Sequence, residues 1–358
     1  MPKLKMLYAA VPLLMLLASA RAQGPPPPIT FTAFDFPGAT ITEAFGINDE
    51  RYIVGSYCKD NDGGSTCALA SPSHGYVQKG GTFSSSTFKP INFLFASNGK
   101  PAFETEATGV NNSHGLIVGL YDPVKVPAGT DKGFGYYCSY PCSAKGDFTT
   151  LKYPGATSTD LSAISTNSAG TTTRMVGVYS VNATAPIIDH GFLFTAGKFC
   201  SIDVPGGVDT NALGINVNGD VVGSYDDNGT VTAFLLKHAR IPANASLSHP
   251  PACLGTFTTF VFPSTLVSGV TQTEAAGINH LGVIVGNYLD SNQVSHAFWT
   301  SDPSTPRTFK TIDPPKAGAT GDSAATAING VGVVVGNFTD TTVTPNKERA
   351  FIAVPAGH

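Results

Sequence analysis

Thr273-Glu274-Ala275-Ala276-Gly277-Ile278-Asn279, then Ile284-Val285-Gly286-Asn287-Tyr288, then His296-Ala297-Phe298 form the stretch that decides the fold, because each part recurs along the chain. The Val-Gly run returns at Gly55, Gly119, Gly177, Gly223 and Gly336, at separations of 46 to 64 residues. Ahead of it stand Thr42 to Asn48, Thr105 to Asn111 and Thr210 to Asn216, with Ser323 to Asn329 a close variant and Thr159 to Ser165 a worn one. An aromatic follows it as Tyr57, Tyr121, Tyr179, Tyr225 and Phe338. The His-Ala-Phe part returns as His74-Gly75-Tyr76, Gly133-Phe134, His190-Gly191-Phe192, Ala233-Phe234 and Ala350-Phe351. A fourth segment, Phe-x-x-Ile/Phe-x-x-Pro, begins at Phe31, Phe148, Phe199, Phe257 and Phe309, and the copy at Phe88 lacks its proline.

Each segment is short, rich in β-branched and aromatic residues, and bounded by Pro, Gly, Asn or Asp, which are strand and turn signals. No stretch carries a 3.6-residue apolar period. Four strands in a unit of roughly 50 residues match a propeller blade better than a solenoid coil. The expected fold is therefore all-β, a β-propeller of six four-stranded blades. The chain begins with the Phe-x-x-Ile segment and ends with the Ala-Phe segment. If the Thr-x-Ala-x-Gly strand is innermost, the N-terminal strand closes the last blade and removes an open sheet edge.

This series resembles the bacterial extracellular repeat family named for its His-Ala-Phe motif (HAF repeat), which His296-Ala297-Phe298 reproduces literally. The likeness spans residues 31–354 and implies an exported repeat protein; it carries no activity with it.

Residues 1–22 read as a signal peptide: Lys3 and Lys5, an apolar run from Met6 to Ala18, and Ala20-Arg21-Ala22 before the expected cleavage point. Residues 23–30 form a Pro-rich linker and 31–355 the repeats. The apolar run is shorter than the roughly 20 residues of a membrane span, so a secreted or periplasmic, non-membrane-spanning monomer is expected. Charged residues are only 13% of the chain and the net charge is −4, which excludes a nucleic-acid partner read from charge alone. Six cysteines in an exported chain imply disulfides: Cys58 with Cys67, Cys138 with Cys142, and Cys200 with Cys253.

No nucleophile elbow, zinc-protease helix, phosphate loop or dinucleotide fingerprint is present. The repeated Asn48, Asn216, Asn279 and Asn329 read as turn formers, as do Asp226 and its equivalents. Asp60-Asn61-Asp62-Gly63 resembles a calcium loop only superficially, since the distal Glu is missing. His74, His190 and His296 share one strand position and read as packed against an aromatic. The most informative set precedes the Ala of the first segment: Glu43, Glu106, Asp160 and Glu274, with Asn211 and Ala324 in the other copies. On an innermost strand these carboxylates would crowd one mouth of the channel and raise one another's pKa, with calcium the ion that would compensate them. No other cofactor is expected. The sequence thus reads as a non-enzymatic binding or scaffold module for an extracellular polysaccharide or protein. The alternative is a carbohydrate-active enzyme using carboxylates in the central funnel.

Overall fold

A computed structural model describes residues 28–60, 73–95, 99–112, 115–124, 133–167, 169–182 and 187–356. The signal segment, Cys67 and the Asn61-Asp62-Gly63 loop lie outside the described residues. The chain is all-β in a propeller arrangement, and β-strands dominate its regular structure.

Every repeat unit becomes an antiparallel meander. The first runs β2 (Ile41–Ile47), β3 (Ile53–Cys58), β4 (His74–Gln78) and β5 (Phe88–Ile91). Then come β6 (Glu104–Val110), β7 (Leu116–Asp122), β8 (Phe134–Ser139) and β9 (Phe148–Leu151). They are followed by β10 (Ser158–Thr166), β11 (Thr173–Ser180), β12 (Asp189–Thr195) and β13 (Lys198–Ile202). These last two runs share one eight-stranded sheet, joined by a single parallel pair, Thr159 with Phe134. Next are β14 (Val208–Ile215), β15 (Val221–Asp227), β16 (Thr230–Arg240) and β17 (Leu254–Phe260). After them stand β18 (Gln272–Ile278), β19 (Ile284–Leu289), β20 (Ser295–Thr300) and β21 (Phe309–Thr311).

The final sheet is β22 (Ser323–Ile328), β23 (Val334–Asp340) and β24 (Lys347–Pro355), completed by β1 (Ile29–Phe34) in antiparallel register, Ile29 opposite Pro355. The expected N-terminal closure is therefore present. Its strand starts at Ile29, inside the segment read as linker to residue 30, because Ile29 and Thr30 already pair with Pro355 and Val354. Ion pairs cover the join: Arg349 reaches Asp35 at 2.8 Å and Asp340 at 3.0 Å.

The motif residues have separable jobs. The threonine of the first segment is buried, and its hydroxyl accepts the backbone N–H of the residue closing the preceding outer segment: Thr42 from Phe36, Thr105 from Phe93, Thr159 from Tyr153, Thr273 from Phe262. That closing aromatic stacks on the tyrosine after Val-Gly, at 3.6 Å for Phe36–Tyr57, Phe93–Tyr121 and Tyr153–Tyr179. Such pairs add about 0.5–1.5 kcal/mol each beyond burial. The apolar cores lie between adjacent meanders; one joins Val222 and Leu235 to Ile284 and Phe298.

The turn asparagines do more than the sequence implies. Asn279 Oδ1 accepts from Leu281 and Val283 backbone N–H, as a turn former should. Its Nδ2 donates to the Asn329 carbonyl at 3.1 Å, while Asn329 donates to Asn48 and Asn48 to Asn111. A chain of amides thus runs from Asn216 through Asn279, Asn329 and Asn48 to Asn111, tying five of the meanders in series. Asn279→Ala would leave the buried Val283 N–H unpaired, at about 1–3 kcal/mol, and would take one of two bonds from the Asn329 carbonyl, which keeps the Gly332 N–H. Urea unfolding should show a loss of about 2–4 kcal/mol; a change below 0.5 kcal/mol (about the noise of surface substitutions) would remove these bonds from the stability account.

Candidate functional site: the two ends of the central channel

The first segment of each unit is innermost, as expected. Its residues surround a narrow channel: the neck, about 70 Å³, is lined by Phe45, Thr108, Ser162, Leu213, Ala276 and Thr326 from successive meanders. Two residues earlier on the same strands stand Glu43, Glu106, Asp160, Asn211, Glu274 and Ala324. Each faces the strand after it in the same register, Glu43 opposite Ser56 and Glu274 opposite Asn287. The structure therefore gathers the four predicted acids around one end.

Burial is the main electrostatic fact there. It pushes the Glu106 carboxyl up to about 8, and Glu43, Glu104, Asp160 and Asp122 add to the rise. Glu43 is raised by burial against the opposing hydrogen bond from Ser56, at 3.0 Å. Glu274 is raised by burial too, although Ser224 of the preceding meander donates to it at 3.1 Å. Glu104, which the repeat pattern did not single out, is likewise raised by burial. It escaped notice because it has no acidic counterpart in most units. The acids are thus densest on β2, β6 and β10. Among the described residues, no group of three or more His, Cys, Asp or Glu side chains is placed to hold a metal ion.

The histidines pack as anticipated, with an added partner. His74, His190 and His296 lie over Tyr57, Tyr179 and Tyr288 at 5.2–5.4 Å. Their Nδ1 atoms pair with Asn92, Asp203 and Asp313 on the outer segment, at 2.7–2.8 Å. In the second unit the strand register aligns Phe134 with the histidines, so Gly135-Tyr136 takes the place given to Gly133-Phe134 in the motif. There Lys152 replaces the acid and sits 5.1 Å over the Phe134 ring. Arg349 with Asp35 is the sixth-unit version of the same pair. The position is a basic–acidic pair in three meanders, His190–Asp203, His296–Asp313 and Arg349–Asp35, and supplies no ligand ring.

Both irregular insertions are stapled, and the second leaves Leu247 exposed. Cys138–Cys142 closes a tight loop in which Tyr140 meets Tyr52 edge-on. Cys200–Cys253 ties β13 to the approach of β17. Cys58 is also disulfide-bonded. The aspartates after Val-Gly do form turns: Asp226 accepts from Gly229 N–H, and Asp290 from Asn292 and Val294.

At the opposite end the channel widens to a cup of about 290 Å³ beyond the Ile-Asn ends of the inner strands. Its rim carries Asp49, Asn112 and His280, one residue past the motif and different in every unit, so no repeat pattern marked them.

Residues 203–353 match a family model described as "Protein of unknown function (DUF3466)". No curated protein matches the chain. Among solved structures, the Hadza microbial sialidase Hz136 aligns with a TM-score of 0.52 at 12% identity, over 89% of this chain and 66% of its own. The chain therefore spans just under two thirds of that sialidase, and the likeness is one of fold. A mutant Aleuria aurantia lectin in complex with alpha-methyl-L-fucoside aligns with a TM-score of 0.37 at 11% identity, over 93% of this chain and 98% of its own.

Proposed function

We propose that the protein is an exported, non-enzymatic binding module of six blades, whose acidic channel end takes a neutral polysaccharide. The blade count is supported by the single Thr159–Phe134 pair that alone holds the eight-stranded sheet together at its middle. Export is supported by the disulfides Cys138–Cys142 and Cys200–Cys253, which suit an oxidising compartment. No helix among the described residues is long and apolar enough to cross a membrane.

One observation carries the ligand class: Glu106, pushed up to about 8, stands among other raised carboxyls. A protonated carboxyl both donates and accepts hydrogen bonds, which matches sugar hydroxyls. A carboxylate-bearing sugar would bring a further negative charge into a site whose burial already disfavours ionised carboxyls, and would bind poorly.

The same observation favours a second reading. A carboxyl raised toward neutrality beside others that are less raised is the arrangement of a general acid with its partner carboxylate. A panel of neutral and acidic polysaccharides separates the two. Binding predicts retention of neutral chains with no new reducing ends, kept by Glu106→Gln, whose amide also donates and accepts, and weakened at least tenfold by Glu106→Leu, which does neither. New reducing ends that vanish in Glu106→Gln would replace the binding reading with hydrolysis. Neither retention nor new reducing ends would sink both.

A further inference from the structure

The cup at the far end of the channel is built differently from the acidic end. Its base is a ring of branched aliphatic side chains, Ile47, Val110, Ile164, Ile215, Ile278 and Ile328, one from each inner strand. Among the described residues no Phe, Tyr or Trp lines it, so it lacks the broad flat platform on which a sugar ring packs. The asparagine amides above the base point around the ring and are occupied with one another's turns.

The rim is polar on one side. Asp49 is exposed, and its carboxylate is held in place from two neighbouring meanders: Gly330 N–H donates to Oδ1 at 2.6 Å and Asn112 Nδ2 to Oδ2 at 2.8 Å. Asn112 Oδ1 in turn accepts the Asp49 N–H at 2.8 Å. His280 closes on the same spot, since a β-carbon on Gly330 would lie 2.8 Å from Asp49 Oδ1 and 3.1 Å from His280 Nδ1. Each Asp49 oxygen carries one of these bonds and keeps accepting capacity. Among the described residues, Asp49 is the only formally charged one lining the cup. An apolar base under one oriented carboxylate complements a short hydrocarbon ending in a cation.

We propose that this cup binds a small aliphatic amine, with the ammonium against Asp49 and the hydrocarbon inside the isoleucine ring. The site is independent of the acidic end, so either can fail alone. The test is a titration of the full protein with n-butylammonium, followed by ligand-observed NMR, with 1-butanol as the uncharged probe of equal length. Saturable binding of the amine is expected, at least tenfold tighter than the alcohol. Asp49→Asn keeps an acceptor for Gly330 N–H but removes the charge, and should weaken the amine at least tenfold. Val217→Lys places an ammonium at the rim without touching Asp49 and should abolish binding while leaving the thermal melt in place. Equal affinity for amine and alcohol would overturn the proposal, as would an Asp49→Asn or Val217→Lys protein that is folded and binds like the parent. So would the absence of saturation at about 20 mM amine, well above a millimolar dissociation constant.

Discussion

Gly286→Ala is expected to abolish folding or cost more than about 4 kcal/mol, a loss at the extreme of single substitutions. A β-carbon at Gly286 would lie 2.0 Å from the Glu274 carbonyl oxygen and 3.0 Å from the Ala275 α-carbon. Both obstacles are backbone, and the inner strand cannot back away, because its register shifts between Ala275 and Gly277 to bring that carbonyl over the glycine. The same contact would occur at 1.8–2.0 Å for Gly55, Gly119, Gly177, Gly223 and Gly336. Gly282→Ala is the natural comparison. Its φ is +80° with nothing within 4 Å, so only backbone strain of about 1–2 kcal/mol opposes a side chain. Urea melts of the two variants should therefore differ by a few kcal/mol. Equal losses would mean that the inner strand adapts and that the Val-Gly glycine is not held by close approach.

That contact explains why the Val-Gly run is the sharpest anchor in the sequence: loops drift, but a backbone collision admits one residue type. The inner strand, the N-terminal closure and the ring of acids were legible for the same reason, since each repeats in register. Features that join two units were not. The Asn279 amide bonds a carbonyl 50 residues away, and nothing at either position alone announces it. The pairing at the histidine position also spans a variable gap, 18 residues for His74–Asn92 and 13 for His190–Asp203. It changes chemistry to Lys152 over Phe134 and to Arg349 with Asp35, so only the strand register reveals it. Glu104 and the Asp49–His280 rim break the repeat symmetry, which hides them from a reading built on repetition. Symmetry-breaking positions are also where function tends to sit at the expense of local consistency.

Glu106→Gln should make the protein more stable at pH 9 and leave it little changed at pH 4. Glu106 ordinarily titrates near 4.5 and in the folded protein near 8, chiefly through burial, with Glu43 the next cause. Between those values the native state holds a proton that the unfolded chain has released. Its contribution is thus complete below about pH 4.5, falls as pH rises, and is lost above about pH 8. That pKa difference corresponds to roughly 4–5 kcal/mol, or roughly 8–20 °C in Tm at 2–4 °C per kcal/mol. Glu43 and Glu274 are raised in the same direction, so the variant should flatten the alkaline decline without removing it. Asp340 works oppositely: despite burial, hydrogen bonds from Thr342 and Arg349 hold it low, and its contribution is lost in acid. Subtracting the variant's pH profile from that of the parent isolates Glu106 from both. If the difference is flat from pH 4 to 9, Glu106 is ionised in the native protein. The acidic end would then present fixed negative charge, the hydroxyl-matching argument would fail, and a cationic ligand would become the better fit. If the difference grows with pH as expected, the fold carries a neutral acid at its channel mouth against its own alkaline stability. A position that served packing alone would gain from Gln or Ala, which makes Glu106 the residue through which the ligand question is best asked.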